Sequence, residues 1–358
     1  MAKYGRPLVV AMSADLADST NISGFAKGYG GAKDMGLYNY KTNEDSPLIP
    51  QGITEFTNSG MLAGLATVNF CDDPYEDFNG FYGAMSTYGS FSYLKYGPIR
   101  LFSQLAQDSD LKVGKLLWVA GHSGPETAED SRTHFGIFAP GVTQLFPNEH
   151  IINLHPWEHN EVAPALAAAM RTNVPIVALH LTRPPVEIPD RKKLGMASHL
   201  DASKGAYLIK DYDDDTEKKG VVIIRGTSST NSVVKVLDHL KKEKINVKII
   251  SAISWHLFTS QTKEYQQKIV NDREWADSMI ITNSGLRLMH NWISNKIVEA
   301  YSMSPDHDNK WRTGGSVDEI VAESRLDEKS VLDGIKKFAN EKLARLESIK
   351  RSIPISGV

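Results

Sequence analysis

Short apolar runs that alternate with longer helical stretches are the feature that most constrains the fold of this chain. Seven runs are apolar on both faces, as the strands of a parallel sheet covered by helices must be. These runs are 7–12, 115–120, 150–153, 175–181, 220–224, 246–250 and 279–282. Helical periodicity and good helix formers mark 161–171, 231–244 and 330–349. The order predicts an α/β fold of mainly parallel sheets flanked by helices.

A stretch of poor core material divides the chain. The 358 residues suggest about two domains. Between 184 and 219 lie three prolines, the charged cluster DRKK and the acidic run DYDDDTEKK. We therefore predict a first domain over 1–195 and a second over 205–358.

Charge and cysteine content exclude several classes of protein. The 40 Lys and Arg against 43 Asp and Glu give a net charge of -3. This charge does not produce the positive potential that attracts a nucleic acid backbone. The single cysteine, Cys71, cannot form an internal disulfide or a zinc cluster, so a reducing cytoplasm is the expected setting. No apolar stretch approaches the roughly 20 residues that span a bilayer, and the N-terminus turns polar too soon for a secretory signal.

Residues 24–98 are unusually rich in glycine and aromatic residues, as in GFAKGYGG and GFYGAMSTYGSFSYLKYGP. Glycine permits close approach of the backbone to a ligand, and aromatic rings supply flat apolar walls. The composition fits the lining of a pocket or a loop whose aromatic rings fold onto a sheet.

A single acid, Glu55, precedes the small-residue helical run in ITEFTNSGMLAGLA. Small residues let such a helix pack tightly against another helix or a second subunit. A carboxylate beside that interface is expected to be partly buried and to have a raised pKa. The alternative is an exposed carboxylate at a helix N-terminus that interacts with the helix dipole.

The polar loop GHSGPETAEDSRTHFG, 121–136, follows a predicted strand, where ligands bind in α/β sheets. His122, Glu129, Asp130 and His134 combine groups that titrate near neutrality with hydrogen-bond acceptors. Their spacing matches no compact zinc pattern, and the loop has no cysteine, so we predict no metal site. These residues fit a loop that binds a hydroxylated substrate better than they fit a solvent-exposed loop.

Two further patterns are weaker. His155-Pro-Trp-Glu-His159 spells a zinc-protease motif, but that chemistry needs a helix, and Pro156 forbids a helix interior there. We interpret this stretch as a strand end that runs into a helix start. GTSSTNS, 226–232, either cradles an anion at a helix start or forms an ordinary capped turn, which is the more common structure.

Five motifs in order resemble the landmarks of the C-terminal half of transketolase. They are SADLADSTN (13–21), GITEFTNSGMLAGLA (52–66), HSGPETAEDSRTH (122–134), HLTRP (180–184) and SAISWHLFTSQ (251–261). The resemblance covers most of the chain and implies a pyrimidine-binding domain followed by a transketolase C-terminal domain. It also implies thiamine diphosphate and Mg²⁺ as cofactors.

The resemblance assigns cofactor contacts residue by residue. Glu55 matches the glutamate that hydrogen-bonds N1′ of the aminopyrimidine ring, a task that needs a desolvated carboxylate. Asp15 matches an aspartate near the cofactor and the dimer interface. Phe91, with Tyr88 or Tyr93, matches the aromatic contacts to the pyrimidine ring.

Other positions match substrate contacts of the family. His122 and Asp130 match residues that read the hydroxyls of the ketose donor, and His134 matches one that assists proton movement. Arg183 and Ser19 match residues that hold the sugar phosphate, for which a guanidinium fork is well suited. The implied reaction moves a two-carbon ketol unit from a ketose phosphate to an aldose phosphate, as in the pentose phosphate pathway.

The chain departs from the family in one decisive respect. It contains no GDG motif, with which the family binds Mg²⁺ and the diphosphate. We therefore expect a split transketolase, in which this chain is the C-terminal subunit and a partner chain supplies the diphosphate domain. Two copies of each would form a heterotetramer. Segments 22–51 and 71–83 are candidate partner contacts.

Two alternatives stay open at this point. The beta chain of a 2-oxoacid dehydrogenase first component pairs the same two domains, although His122, Asp130 and Arg183 fit a phosphosugar better than a small oxoacid. A catalytically silent scaffold is the other, although retention of Glu55 argues against it.

Overall fold

The computed structural model of the chain describes residues 7–30, 36–68, 80–109, 114–312 and 314–352. These residues form two compact units. Unit 1 holds the described residues up to Ser123 together with Phe138–Leu154 and Leu166–Arg183, and unit 2 holds Gly124–Ile137, His155–Ala165 and those from Pro184 onward. Three segments of the predicted first domain, 124–137, 155–165 and 184–195, thus group with unit 2. The predicted domain limits, 1–195 and 205–358, stay predictions.

Unit 1 is built on one sheet. Its strands are β1 (Val9–Ser13), β2 (Leu48–Ile49), β3 (Tyr82–Thr87), β4 (Leu116–Ala120), β5 (Ile151–Leu154) and β6 (Ile176–His180). Its helices are α1 (Glu55–Thr67), α2 (Tyr96–Asp108) and α3 (Ala139–Thr143), while α4 (His159–Met170) crosses from unit 2 into unit 1. The order is β2-β1-β3-β4-β6-β5, and every neighbouring pair is parallel.

Unit 2 is built on a four-stranded sheet. Its strands are β7 (Ala206–Lys210), β8 (Val221–Arg225), β9 (Lys248–Ala252) and β10 (Ser278–Thr282). Its helices are α5 (Thr227–Lys242), α6 (Trp255–Thr259), α7 (Lys263–Ile269), α8 (Asp272–Ala276), α9 (Lys296–Tyr301), α10 (Val317–Glu323), α11 (Glu328–Asn340) and α12 (Lys342–Ser352). The order is β10-β8-β9-β7, in which β7 alone runs antiparallel.

The strands of both units are buried on both faces, as the apolar runs require. All five residues of β6, β8, β9 and β10 are buried. In unit 1, Trp118, Met85 and Leu62 belong to one core cluster. In unit 2, Ile223, Ile250 and Ile280 meet in another. The predicted α/β class with mainly parallel sheets is confirmed, and each of the seven predicted runs overlaps a strand.

Three strands and one helix break were not predicted. Strand β3 reads YGAMST, in which Thr87 is the single β-branched residue, and β2 has only two residues. Strand β7 lies at the sheet edge and pairs antiparallel. The stretch 330–349 forms two helices, because the backbone leaves the helical conformation at Glu341 (φ -88°, ψ 16°).

Candidate functional site

Four of the predicted site residues lie at the carboxyl ends of four neighbouring strands of unit 1. Asp15 follows β1, Tyr88 follows β3, His122 follows β4 and Arg183 follows β6. These four strands are consecutive in the sheet and parallel, so their ends lie along one edge. Ligands of α/β sheets bind outside this edge.

The turn after β1 has a defined backbone. Asp15 lies in the left-handed region with φ +73°, a conformation that aspartate adopts more readily than most residues. The Thr20 N–H donates to the Leu16 carbonyl at 3.1 Å. The Thr20 hydroxyl lies 2.7 Å from the hydroxyls of both Ser13 and Ser86, which fixes the turn to β1 and β3.

A pocket of about 580 Å³ opens beside this turn. Asp15, Ser19 and Arg183, three of the predicted site residues, line it together. Asn21 Nδ2 donates to the carbonyls of Gly121 (2.8 Å) and Thr182 (3.2 Å) and so joins the loops after β1, β4 and β6. The pocket combines two carboxylates, Asp15 and Asp18, with hydroxyls and one guanidinium.

A second group of predicted residues adjoins Ser19. The Ser19 hydroxyl lies 3.2 Å from the Tyr88 hydroxyl. The Tyr88 ring in turn meets the His122 imidazole edge to face, with ring centroids 4.4 Å apart. His122 is fully buried. Ser19, Tyr88 and His122 therefore form one connected group of polar side chains in unit 1.

Glu55 is the first residue of α1 and is 4% exposed. The Thr87 hydroxyl at the end of β3 donates to its Oε1 at 2.9 Å. Three residues further along the same helix, the Asn58 amide nitrogen is buried without a hydrogen-bond partner among the described residues. A buried donor in that state is costly unless another group pairs with it.

Lys95 is a charged group that the sequence motifs did not point to. It is fully buried, and its Nζ donates to the carbonyls of Val119 (3.0 Å) and Met85 (3.3 Å). Burial lowers the pKa of the Lys95 ammonium well below its usual value, and the negative charge of Glu55 opposes that shift in part. Lys95 thus contributes to the electrostatics around Glu55.

The aromatic residues expected at the cofactor differ in exposure. Tyr88 is buried, and its ring meets Phe91 edge to face at 6.0 Å. Phe91 is half-buried, whereas Tyr93 is 60% exposed. Their roles as pyrimidine contacts stay predictions.

The polar loop carries its titratable pair within unit 2. Asp130 Oδ2 lies 2.7 Å from His134 Nδ1, and the side chains are 37% and 14% exposed. A carboxylate in this position orients the imidazole ring. The pair can therefore hold or deliver a proton at a substrate oxygen.

The zinc-like pattern at 155–159 has a structural explanation. Strand β5 ends at Leu154 and α4 begins at His159, so the pattern lies on the connection, as predicted. The Glu158 carboxylate receives a hydrogen bond from Arg191 Nη2 at 2.9 Å. This acid is therefore bound by a guanidinium.

Helix α1 presents an exposed stripe of apolar and glycine residues. The helix carries apolar residues on its buried side as well, such as Leu62 and Ala66. Such a helix is normally buried all round. An apolar groove of about 510 Å³ adjoins the stripe and is lined in part by Leu65 and Phe81. The stripe consists of the exposed residues Phe56, Gly60, Met61 and Gly64 of the helix, with Thr57 among them, and of Ile53 and Val68 just outside its two ends.

Comparison with known proteins gives a consistent assignment. The family described as "Transketolase-like TK C-terminal domain" matches residues 205–303. The transketolase of Nostoc sp. is 29% identical over 270 residues, which make up 74% of this chain and 34% of that protein. The chain is a relative of the C-terminal half of transketolase. The first curated transketolases that it matches are covered over less than a third of their length.

Two solved transketolases share the fold. The enzyme of Pichia stipitis in complex with sedoheptulose 7-phosphate matches with a TM-score of 0.70 and 20% identity, over 95% of this chain and 44% of that one. A split-gene transketolase described as an inactive beta4 tetramer matches with a TM-score of 0.59 and 17% identity, over 94% of this chain and 93% of that one. None of the helices formed by the described residues is both long and apolar enough to cross a membrane.

Proposed function

We propose that this chain is the C-terminal subunit of a thiamine diphosphate-dependent transketolase that works in the cytoplasm with a partner chain. The observation that carries the proposal is the burial of Glu55, at 4% exposure, beside the edge of the unit 1 sheet where Asp15, Tyr88, His122 and Arg183 follow the strands. A carboxylate that exchanges a proton with an aminopyrimidine ring needs this desolvation. The similarity to transketolases over most of the chain supports the same reaction class.

The residues around Glu55 fit the pyrimidine end of thiamine diphosphate. The buried carboxylate would hold a proton at N1′, Tyr88 and Phe91 would contact the ring, and Asp15 lies on the neighbouring turn. When bound, the cofactor supplies the carbanion chemistry that cleaves the ketose between C2 and C3. Mg²⁺ and the diphosphate would be held mainly by the partner chain, because this chain contains no GDG motif.

The polar residues divide the work on the sugar phosphate. The Arg183 guanidinium and the Ser19 hydroxyl, which line one pocket, would bind the phosphate. His122 and Asp130 would accept or donate hydrogen bonds at the donor hydroxyls. The Asp130–His134 pair, joined at 2.7 Å, would move a proton at the sugar oxygens.

The exposed stripe on α1 is the surface that we assign to the partner chain. Phe56, on the helix that begins with Glu55, is 65% exposed, and Val68, which follows the last residue of that helix, is 59% exposed. Covering this face would bury apolar surface and desolvate Glu55 further. The assembly would then be a heterotetramer with two copies of this chain. Candidate segment 22–51 is described except for 31–35, and most of 71–83 lies outside the described residues.

The test is two-carbon transfer from a ketose phosphate to an aldose phosphate by the complex of this chain with its partner. Glu55→Gln keeps the size of the side chain and an acceptor for Thr87 but removes the acid. We expect kcat to fall by about 10²-fold or more, because general acid–base groups contribute this much. Glu149→Gln, at an exposed carboxylate of unit 1, is the matched control and should leave the rate unchanged.

Three results would overturn the proposal. A Glu55→Gln complex as active as wild type would indicate a non-catalytic scaffold. Lipoyl-dependent decarboxylation of a 2-oxoacid, with no ketol transfer, would indicate the beta chain of a 2-oxoacid dehydrogenase. Full activity of the isolated chain with thiamine diphosphate and Mg²⁺ would exclude a split enzyme.

A further inference from the structure

The sheet of unit 2 has a crevice of the kind that normally receives a ligand. Helix α5 leads from β8 to β9 on one side, whereas β10 pairs with β8 on the other side. The connections therefore diverge at the carboxyl end of β8, and such switch points form crevices where ligands bind. Arg225 and Gly226 lie at the end of β8, and Asn283 follows β10.

The chain's own Glu126 occupies this crevice. Glu126 is 2% exposed. The Ser228 hydroxyl donates to its Oε2 at 2.9 Å, and Asn283 Nδ2 donates to its Oε1 at 3.4 Å. Ser228 is the second residue of α5, a helix of 16 residues whose N-terminus favours negative charge. A side-chain carboxylate thus takes the place that an anionic ligand has in other proteins of this topology.

Two glycines allow this close packing. A Cβ atom on Gly226 would lie 1.8 Å from Asn283 Oδ1, and one on Gly124 would lie 2.5 Å from Glu126 Oε2. Both glycines have positive φ angles, +96° and +127°. Glycine is therefore needed at 124 and 226, because a side chain at either position would collide with Glu126 or Asn283.

The segment that carries Glu126 is a closed loop. Gly124 and Gly136 exchange backbone hydrogen bonds of 3.3 and 3.2 Å, which close the loop at its base. The Thr127 hydroxyl donates to the His134 carbonyl at 2.5 Å across the loop. Further along, the Gly285 N–H donates to the Ile137 carbonyl at 3.0 Å. Glu126 is buried at one end, and the Asp130–His134 pair lies at the solvent-exposed end.

We propose that Glu126 is a positioning residue, through which unit 2 fixes the loop that carries Asp130 and His134. The inference rests on the proposed function, because it gives the anchored loop a role in substrate binding. The charge-assisted bond from Ser228 and the N-terminus of α5 hold Glu126 in place. Because the backbone of 124–136 forms a closed loop, fixing Glu126 also fixes the position of the Asp130–His134 pair.

The first test is backbone hydrogen exchange of residues 124–137 in the full chain, compared among Glu126→Ala, Glu126→Gln and Ser228→Ala. We expect exchange to rise by about tenfold or more in Glu126→Ala, because a hydrogen bond to a charged group is lost. Glu126→Gln keeps an acceptor for Ser228 and should restore most of the protection. Arg132→Ala, at an exposed position of the same loop, should leave exchange at the wild-type level.

The second test separates KM from kcat in the complex with the partner chain. Ser228→Ala and Glu126→Ala should raise KM for the ketose phosphate by about tenfold, with a smaller change in kcat, because the loop must be ordered upon binding. Glu126→Gln should return KM most of the way to wild type. If Glu126→Ala fails to fold, Ser228→Ala serves as the test variant, since it removes only the hydroxyl that donates to Glu126.

The outcomes distinguish this inference from the proposed function. Unchanged exchange and unchanged KM in Ser228→Ala and in folded Glu126→Ala, with an active wild-type complex, would overturn the inference. Increased exchange in these variants, together with an inactive wild-type complex, would overturn the proposed function and leave the loop anchor in place. A rise in KM that Glu126→Gln does not reduce would contradict the anchoring role of the carboxylate.

Discussion

Arg191 supports a buried pair of acids, and its removal should destabilise unit 2 strongly. Its Nη2 donates to Glu158 Oε1 at 2.9 Å and to Glu161 Oε1 at 2.7 Å, and both acidic side chains are 0% exposed. Tyr207 also donates its hydroxyl to Glu161. Burial raises the pKa of Glu161 to about 6, and the Tyr207 hydrogen bond and the Arg191 charge oppose that rise. Arg191→Met would leave two buried carboxylates without their cation.

The size of the effect follows from the burial of both acids. Breaking a buried ion pair by removing one partner costs about 3–5 kcal/mol, because the remaining charge stays buried. The free energy of unfolding should therefore fall by at least about 3 kcal/mol in Arg191→Met at pH 7.5. The pKa of Glu161 should rise further in the folded variant, because the opposing charge of Arg191 is gone, so the folded state gains a proton as the pH falls. Part of the lost stability should return at pH 5.5.

The assay is urea unfolding followed by Trp fluorescence, since the Trp157 ring lies 5.6 Å from the Arg191 guanidinium. The triple variant Arg191→Met, Glu158→Gln, Glu161→Gln should recover most of the lost stability, because no buried charge remains. Lys329→Ala is the control, since its pair with Asp333 is exposed and worth about 1 kcal/mol or less. A loss below about 1 kcal/mol in Arg191→Met, or no recovery in the triple variant, would refute the reasoning.

Three further predictions concern other parts of the chain. Gly226→Ala should lower the free energy of unfolding by more than Gly195→Ala does. Both glycines have positive φ, but only a Cβ atom at 226 would collide with Asn283. Equal losses of stability in urea titrations would contradict this prediction. Burial lowers the pKa of Lys115 to about 8, so the folded state loses this proton first and stability should rise by about 2 kcal/mol between pH 7.5 and 9.5; Lys115→Met should abolish this rise. Phe56→Asp should weaken association with the partner chain by about tenfold or more in analytical ultracentrifugation, and unchanged affinity would exclude the stripe as the interface.

The fold could be predicted where the chain carries a strong local signal. Strands β8 and β9 are β-branched runs buried on both faces, and such runs leave few alternatives in an α/β protein. Strand β3 has only Tyr82 and Thr87 as typical strand formers, so its sequence signal is weak and its place depends on its neighbours β1 and β4. The break between α11 and α12 could not be predicted either, because helix-forming residues continue through it.

The candidate site could be predicted in part, because its residues follow strand ends. Asp15, His122 and Arg183 each come shortly after an apolar run, and a parallel sheet brings such positions to one edge. Lys95 and Glu126 could not be found in this way. The partner of Glu126, Ser228, is 102 residues away along the chain, and no local pattern indicates such a contact.

The division of the chain into units is the feature that is hardest to predict from the sequence. Residues Gly124–Ile137 belong to unit 2, although they follow β4 of unit 1 directly. Their grouping depends on long-range contacts such as Glu126 with Ser228 and Gly285 with Ile137. A composition shift marks only the stretch after 184, where prolines and charges accumulate.

The central claim is that this chain acts as one subunit of a transketolase whose other subunit binds the diphosphate. Native mass spectrometry of the protein isolated gently from its own source tests it most directly. We predict a heteromer that contains two copies of this chain, two copies of a chain with a GDG motif, and bound thiamine diphosphate. A homo-oligomer of this chain alone, without cofactor and without a second chain, would contradict the claim.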